Sequence, residues 1–98
     1  MKFIFHTDEG HGWMEVPLSM VKDLGLESKV SKFSYINGQK VYLEEDFDAL
    51  QFIRAFENRN GYRPEFEDKF TPVSFVRDFS RFDNSVNYFD LDHYPEQH

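Results

Sequence analysis

Two histidines and an aspartate near the start of the chain have side chains that bind metals. His6 and Asp8 are two positions apart, so they share one face of an extended segment, and His11 follows in a glycine-containing loop. Gly10 and Gly12 give the backbone the freedom to fold His11 back toward the other two. Imidazole and carboxylate groups are common ligands of zinc and iron. His6, Asp8 and His11 are therefore a candidate metal site, although their spacing matches no specific metal motif.

An acidic run over residues 44–48 is the second candidate site. Its four carboxylates directly precede a predicted helix, where negative side chains complement the helix N-terminus and cap its amide groups. Capping accounts for two of the four, and the others predict a solvated patch or a recognition surface. Aromatic residues make up 18% of the chain, and a small core accounts for most of them but less well for the tryptophan. The predicted binding residues are Trp13, Glu44, Glu45, Asp46 and Asp48.

The charge is unevenly distributed along the 98 residues, which carry a net charge of −7. Residues 1–43 are balanced, with five lysines and five acids, whereas residues 44–98 carry thirteen acids against six basic groups. Such a chain repels phosphates overall, so direct binding to DNA or RNA is disfavoured. An acidic surface keeps a protein soluble, and it also offers a negative face to a basic partner.

The sequence signatures of enzymes are few. The chain has no cysteine, which excludes disulfides, thiolate metal sites and cysteine nucleophiles. No serine has a Gly-x-Ser-x-Gly context, and the five glycines form no phosphate-binding loop. Arg77 and Arg81 are four residues apart and could grip a carboxylate or phosphate, although local acids such as Asp78 and Asp83 are the usual partners of such arginines. These observations favour a protein that is not an enzyme.

A hairpin around Asn37 and Gly38 is the clearest local prediction. A two-residue turn at these positions would mix polar and apolar residues on both faces of the pair. A three-residue loop instead pairs Phe33 with Val41 and separates the apolar from the polar side chains, so we predict that register. Elsewhere, periodicity and the positions of proline and glycine define the elements. The predicted strands cover residues 2–7, 13–16 and 62–70, the last at an edge, and the predicted helices cover residues 17–25, 47–58 and 71–79.

These elements predict an α+β fold. We expect a small antiparallel sheet built from two hairpins and covered on one face by two or three short helices. Residues 1–82 are expected to form a single domain, and residues 83–98 a polar, loosely ordered C-terminal tail. Apolar runs never exceed three residues, so we expect no membrane span and no signal peptide.

Two short motifs give the chain a resemblance to other proteins. They are G-H-G-W at residues 10–13 and V-Y-L-E-E-D at residues 41–46, accompanied by His6, Tyr35 and Asp48. With these residues the chain resembles a family of small uncharacterised proteins encoded by bacteriophages, prophages and plasmids. The resemblance covers roughly the first 56 residues, and the second half matches only loosely. It implies a mobile-element context rather than a mechanism, because such proteins often bind host machinery or defence systems.

The sequence therefore favours a non-enzymatic binding protein of mobile-element origin. We expect it to dock on a bacterial host protein through an acidic and aromatic surface, with no cofactor, in the cytoplasm of the host cell. One alternative is a small enzyme that uses a divalent metal such as zinc at His6, Asp8 and His11. A second alternative is a structural or assembly protein that forms a homodimer through an exposed sheet edge.

Overall fold

The computed structural model describes residues 1–72, 75–86 and 88. Within them, six strands form one sheet and two helices accompany it, so the α+β class is confirmed. The strands are β1 (Lys2–Thr7), β2 (Gly12–Pro17), β3 (Tyr35–Asn37), β4 (Lys40–Glu44), β5 (Glu65–Phe70) and β6 (Ser80–Arg81), and the helices are α1 (Leu18–Asp23) and α2 (Asp48–Asn60). A 3-10 turn covers Phe75–Asp78, inside the region predicted as a third short helix.

The sheet is mixed rather than antiparallel, which corrects the sequence prediction. Its strand order is β5-β1-β2-β4-β3-β6. Neighbouring strands are antiparallel except β5, which runs parallel to β1. The cause is the connection from β4 to β5: α2 carries the chain back across the sheet, so β5 enters in the same direction as β4 and β1. A helical crossover of this kind is how parallel strands are usually joined.

Both faces of the sheet are partly covered. On one face, alternate strand residues such as Phe3, Met14 and Leu43 share a buried cluster with Val21 of α1 and Phe52 of α2. On the opposite face, the aromatic rings of the strands pack against the 3-10 turn. That second cluster contains Trp13, Tyr35, Tyr42 and Val76, with Phe79 packed against it.

The register of the β3–β4 pair differs from the predicted one. Tyr35 pairs with Tyr42 and Ile36 with Val41, which leaves Gly38 and Gln39 as the turn. Gly38 has a φ of 65°, a conformation that glycine adopts without steric cost. The predicted register assumed one buried face. Here both Tyr35 and Ile36 are buried, on opposite faces, because the 3-10 turn covers the second face.

Most of the predicted C-terminal tail, residues 83–98, lies outside the described residues. Within the described part, Tyr88 is buried and its ring lies 5.0 Å from that of Phe82. Its hydroxyl accepts a hydrogen bond of 3.0 Å from the Asp83 amide. No helix in the described ranges is long and apolar enough to cross a lipid bilayer.

Candidate functional site

The three predicted metal ligands have different partners. His6 lies on β1 with its ring buried, and its Nε2 is 2.9 Å from the Glu15 carboxylate on the neighbouring strand. Asp8 lies in the loop after β1, where Arg77 Nε donates to its carboxylate at 2.9 Å. His11 is exposed, with its ring 6.1 Å from that of Trp13. Across residues 1–72, 75–86 and 88, no group of three metal-binding side chains comes together.

Asp8 instead organises the loop between β1 and β2. Its Oδ1 accepts hydrogen bonds from the Gly10 and His11 amides at 2.9 and 2.8 Å, and its side chain is only 4% exposed. The bond from Arg77, together with these amides, holds the pKa of the Asp8 carboxyl well below its usual range. Asp8 is therefore ionised at neutral pH and fixes the position of Arg77.

The acidic run divides into two acids whose carboxylates are hydrogen-bonded within the chain and two exposed ones. Glu44 caps α2, because its carboxylate accepts hydrogen bonds from the Phe47 and Asp48 amides at 2.6 and 3.1 Å. Asp48 is buried, and its Oδ2 is hydrogen-bonded to two serines. Glu45 and Asp46 are exposed. Of the predicted binding residues, Asp48 is thus unavailable to a partner.

A cleft of about 420 Å³ brings several of the remaining predicted residues together. Trp13, Glu44 and Asp46 all line it. Trp13 itself is only 3% exposed, and its ring lies 6.0 Å from that of Tyr35. The two rings therefore form a rigid aromatic wall of the cleft rather than a protruding contact.

The local sequence explains why this cleft forms at the start of β2. Glycine is required at position 12, because a Cβ there would lie 2.7 Å from the Phe5 ring and 3.0 Å from the Glu45 carboxylate. The Gly12 carbonyl accepts a hydrogen bond of 3.0 Å from the Glu45 amide. This contact, and the pairing of Trp13 with Glu44, brings residues 10–13 and 41–46 together at the cleft.

Two arginines that the metal and acid hypotheses did not include also line the cleft. The Arg77 guanidinium lies 5.0 Å from the centre of the Trp13 ring, and the Arg81 guanidinium lies 5.1 Å from that of Tyr35. Cation–π contacts of this kind attract a guanidinium to the face of a ring. The sequence showed the four-residue spacing of these arginines. In the structure, Arg77 lies in the 3-10 turn and Arg81 belongs to β6.

Two phenylalanines complete the cleft and are largely open to solvent. Phe33 and Phe47 both line it and are 61% and 63% exposed. Neither was predicted as a site residue, because Phe33 was assigned to the buried face of the hairpin and Phe47 to the start of a helix. In the observed register, Phe33 lies before β3, so its ring does not pack in the core.

Next to the cleft, the 3-10 turn packs over a set of polar groups on the sheet. The ring of Phe75 lies 5.1 Å from that of His6 and 6.5 Å from that of Tyr42. Burial, with the negative charge of Glu15, raises the pKa of Tyr42 to about 12. Lys40 Nζ lies 3.5 Å from the second carboxylate oxygen of Glu15. These groups stabilise the sheet below the 3-10 turn.

The cleft thus combines flat aromatic rings, guanidinium donors and exposed apolar surface. Tryptophan, tyrosine and arginine are the residues that carry most of the free energy in protein interfaces. Comparison with protein-family models, with curated proteins and with solved structures finds no match to this chain.

Proposed function

We propose that this chain is a non-enzymatic binding protein that docks on a bacterial protein through the cleft of Trp13, Tyr35 and Arg81. The observation that carries the proposal is the exposure of Phe33 and Phe47 at one cleft, 61% and 63%. Burial of one such side chain contributes about 1.5–3 kcal/mol. Two of them beside a concave aromatic surface are a docking site of the kind that protein partners fill.

The placement of the two sequence motifs supports the proposal. Residues 10–13 and 41–46 carry the resemblance to phage, prophage and plasmid proteins, and both contribute to the cleft. We therefore attribute to this chain a mobile-element origin and a partner in the cytoplasm of the host bacterium. The acidic part of the surface is smaller than the sequence suggested, since Glu44 and Asp48 are bound internally.

A capture experiment with substituted phenylalanines tests the proposal. The tagged chain and its double variant Phe33→Ser/Phe47→Ser are each incubated with bacterial lysate, and the bound proteins are identified by mass spectrometry. Each candidate partner is then purified and its affinity measured by calorimetry. We expect one partner that the wild type binds and that the double variant binds at least about tenfold more weakly.

The matched control is Phe70→Ser, because Phe70 is 60% exposed but lies at the end of β5, on the edge of the sheet. This variant removes the same apolar group from a residue that does not line the cleft, so it should bind as the wild type does. Equal affinity of the wild type and of the double variant for every purified candidate would overturn the proposal. Circular dichroism confirms that the variants are folded.

A further inference from the structure

The charged groups of the cleft differ in how many hydrogen bonds they already form within the chain. Glu44 is engaged by the α2 amides. Arg77 uses Nε and Nη2 on Asp8, at 2.9 and 3.4 Å, so its charge is compensated by a carboxylate. Asp46 is exposed, and its carboxylate has no bonding partner among the described residues.

Arg81 is the cationic group of the cleft whose N–H donors are mostly unused by the described residues. Its Nη1 donates to the Lys32 carbonyl at 3.0 Å. Within the part of the chain that the structure describes, no carboxylate lies within ion-pair distance of it. Asp83, the nearest acid along the chain, accepts instead from the amide and hydroxyl of Ser85. A guanidinium has five N–H donors in one plane, so Arg81 keeps most of its binding capacity.

We propose that the cleft binds the C-terminal carboxylate of its partner, with an apolar last side chain packed on Phe33 and Phe47. The inference rests on the proposed function and names the chemistry of the bound segment. The Arg81 guanidinium, 5.1 Å from the centre of the Tyr35 ring, presents a planar fork that matches a carboxylate.

The apolar part of the cleft selects a chain end over an acidic side chain. Aspartate and glutamate bring at most two methylene groups with their carboxylate. A terminal residue carries a whole apolar side chain on the carbon next to the carboxylate, so both groups enter together. A volume of about 420 Å³ is ample for one such residue and its neighbour.

Three small probes test this inference on the intact chain. N-acetylphenylalanine carries the carboxylate and the ring, and its amide carries only the ring. The α-amide of N-acetylaspartate, whose terminal groups are neutral and whose side chain is acidic, carries only a carboxylate. Binding is followed by the fluorescence of Trp13, the one tryptophan, and by amide NMR shifts. We expect N-acetylphenylalanine to bind at about 1 mM, and each of the other two at least about fivefold more weakly.

Substitutions that change the charge of the cleft test whether it binds an anion. Arg81→Gln should abolish the preference for the carboxylate probe over its amide, and Arg81→Lys should weaken it, since lysine lacks the planar fork. Asp46→Asn should tighten N-acetylphenylalanine about twofold, because it removes a negative charge beside the anion. Arg63→Gln, which removes one positive charge from a residue outside the cleft, is the matched control and should bind as the wild type does.

Several outcomes would overturn the inference. Equal binding of N-acetylphenylalanine and its amide would show that the carboxylate is not recognised. Equal binding of the aspartate probe would show that an acidic side chain suffices. Weaker binding of N-acetylphenylalanine after Asp46→Asn would show that its carboxylate is not held in the cleft beside Asp46. A docking partner confirmed through Phe33 and Phe47, with no carboxylate preference, would refute this inference alone. Probe binding without any protein partner would refute the proposed function alone.

Discussion

Asp48 should be a main determinant of stability although it is an acid in an acidic protein. Its side chain is buried, and its Oδ2 accepts three hydrogen bonds: from the Ser31 amide at 2.9 Å, the Ser31 hydroxyl at 2.7 Å and the Ser34 hydroxyl at 2.6 Å. These bonds tie the segment before β3 to the first turn of α2. Oδ1 has no hydrogen-bond partner among the described residues.

The cost of Asp48→Ala follows from what the substitution leaves behind. A buried donor that loses its acceptor costs about 1–3 kcal/mol, and both the Ser31 amide and the Ser34 hydroxyl lose theirs. Removal of a buried carboxylate also recovers part of its desolvation cost. We expect a net loss of about 2–4 kcal/mol in the free energy of unfolding, which lowers the Tm of a domain of this size by about 10–30 °C.

The assay is thermal and urea unfolding followed by circular dichroism. Asp48→Asn should cost less than Asp48→Ala, because its amide oxygen still accepts from the serines while its nitrogen occupies the unpartnered Oδ1 position. Asp46→Ala is the control, since Asp46 is exposed and should change stability by no more than about 0.5 kcal/mol. If Asp48→Ala unfolds at the same temperature as Asp46→Ala, the assigned network does not contribute to stability.

Three further predictions concern the loop and the sheet beneath it. Gly12→Ala should lower the free energy of unfolding by about 1–3 kcal/mol, because its Cβ would meet the Phe5 ring at 2.7 Å. Gly10→Ala should be close to neutral, since the nearest atom to a Cβ there is 3.7 Å away. Equal urea midpoints for the two variants would refute the steric argument. Asp8 has a lowered pKa in the folded state. Its ionised carboxylate therefore stabilises the fold fully above the ordinary aspartate pKa of about 4, and this contribution is lost as the pH falls below that value. Asp8→Asn should be less stable than the wild type near neutral pH, and a difference in stability that persists in acid would contradict this. Tyr42 should ionise only at about pH 12, so Tyr42→Phe should remove a late step from the absorbance titration at alkaline pH and leave the earlier steps unchanged.

The sequence predicted the elements that depend on local patterns. Residues 2–7 were predicted as a strand from alternation, and β1 covers Lys2–Thr7. The predicted helix over residues 47–58 is α2, Asp48–Asn60, because its apolar residues recur with helical period. The predicted strand over residues 62–70 contains β5 and lies at an edge. In each case, the pattern of residue types within the segment was enough to predict the element.

The candidate site was harder to predict because its contacts are distant in sequence. Asp8 was considered as a ligand beside His6 and His11, yet its partner is Arg77, 69 positions away. Local acids were expected to pair with Arg77 and Arg81, but neither uses the acid next to it. Phe33 was assigned to the core because no local pattern indicated that a 3-10 turn would cover the second face of the sheet.

The strand order has a consequence for how the chain is made. The four central strands, β1 to β4, are complete once Glu44 has been synthesised, whereas both outer strands come from residues 65–81. Until those residues have paired, β1 and β3 are the edge strands, and each presents a row of unpaired backbone groups that can pair with another chain. Closing the sheet also requires β1 to pair with a strand some 60 positions later, and such distant pairings form slowly. The last third of the chain therefore protects the first two-thirds from aggregation, in addition to supplying both arginines of the cleft.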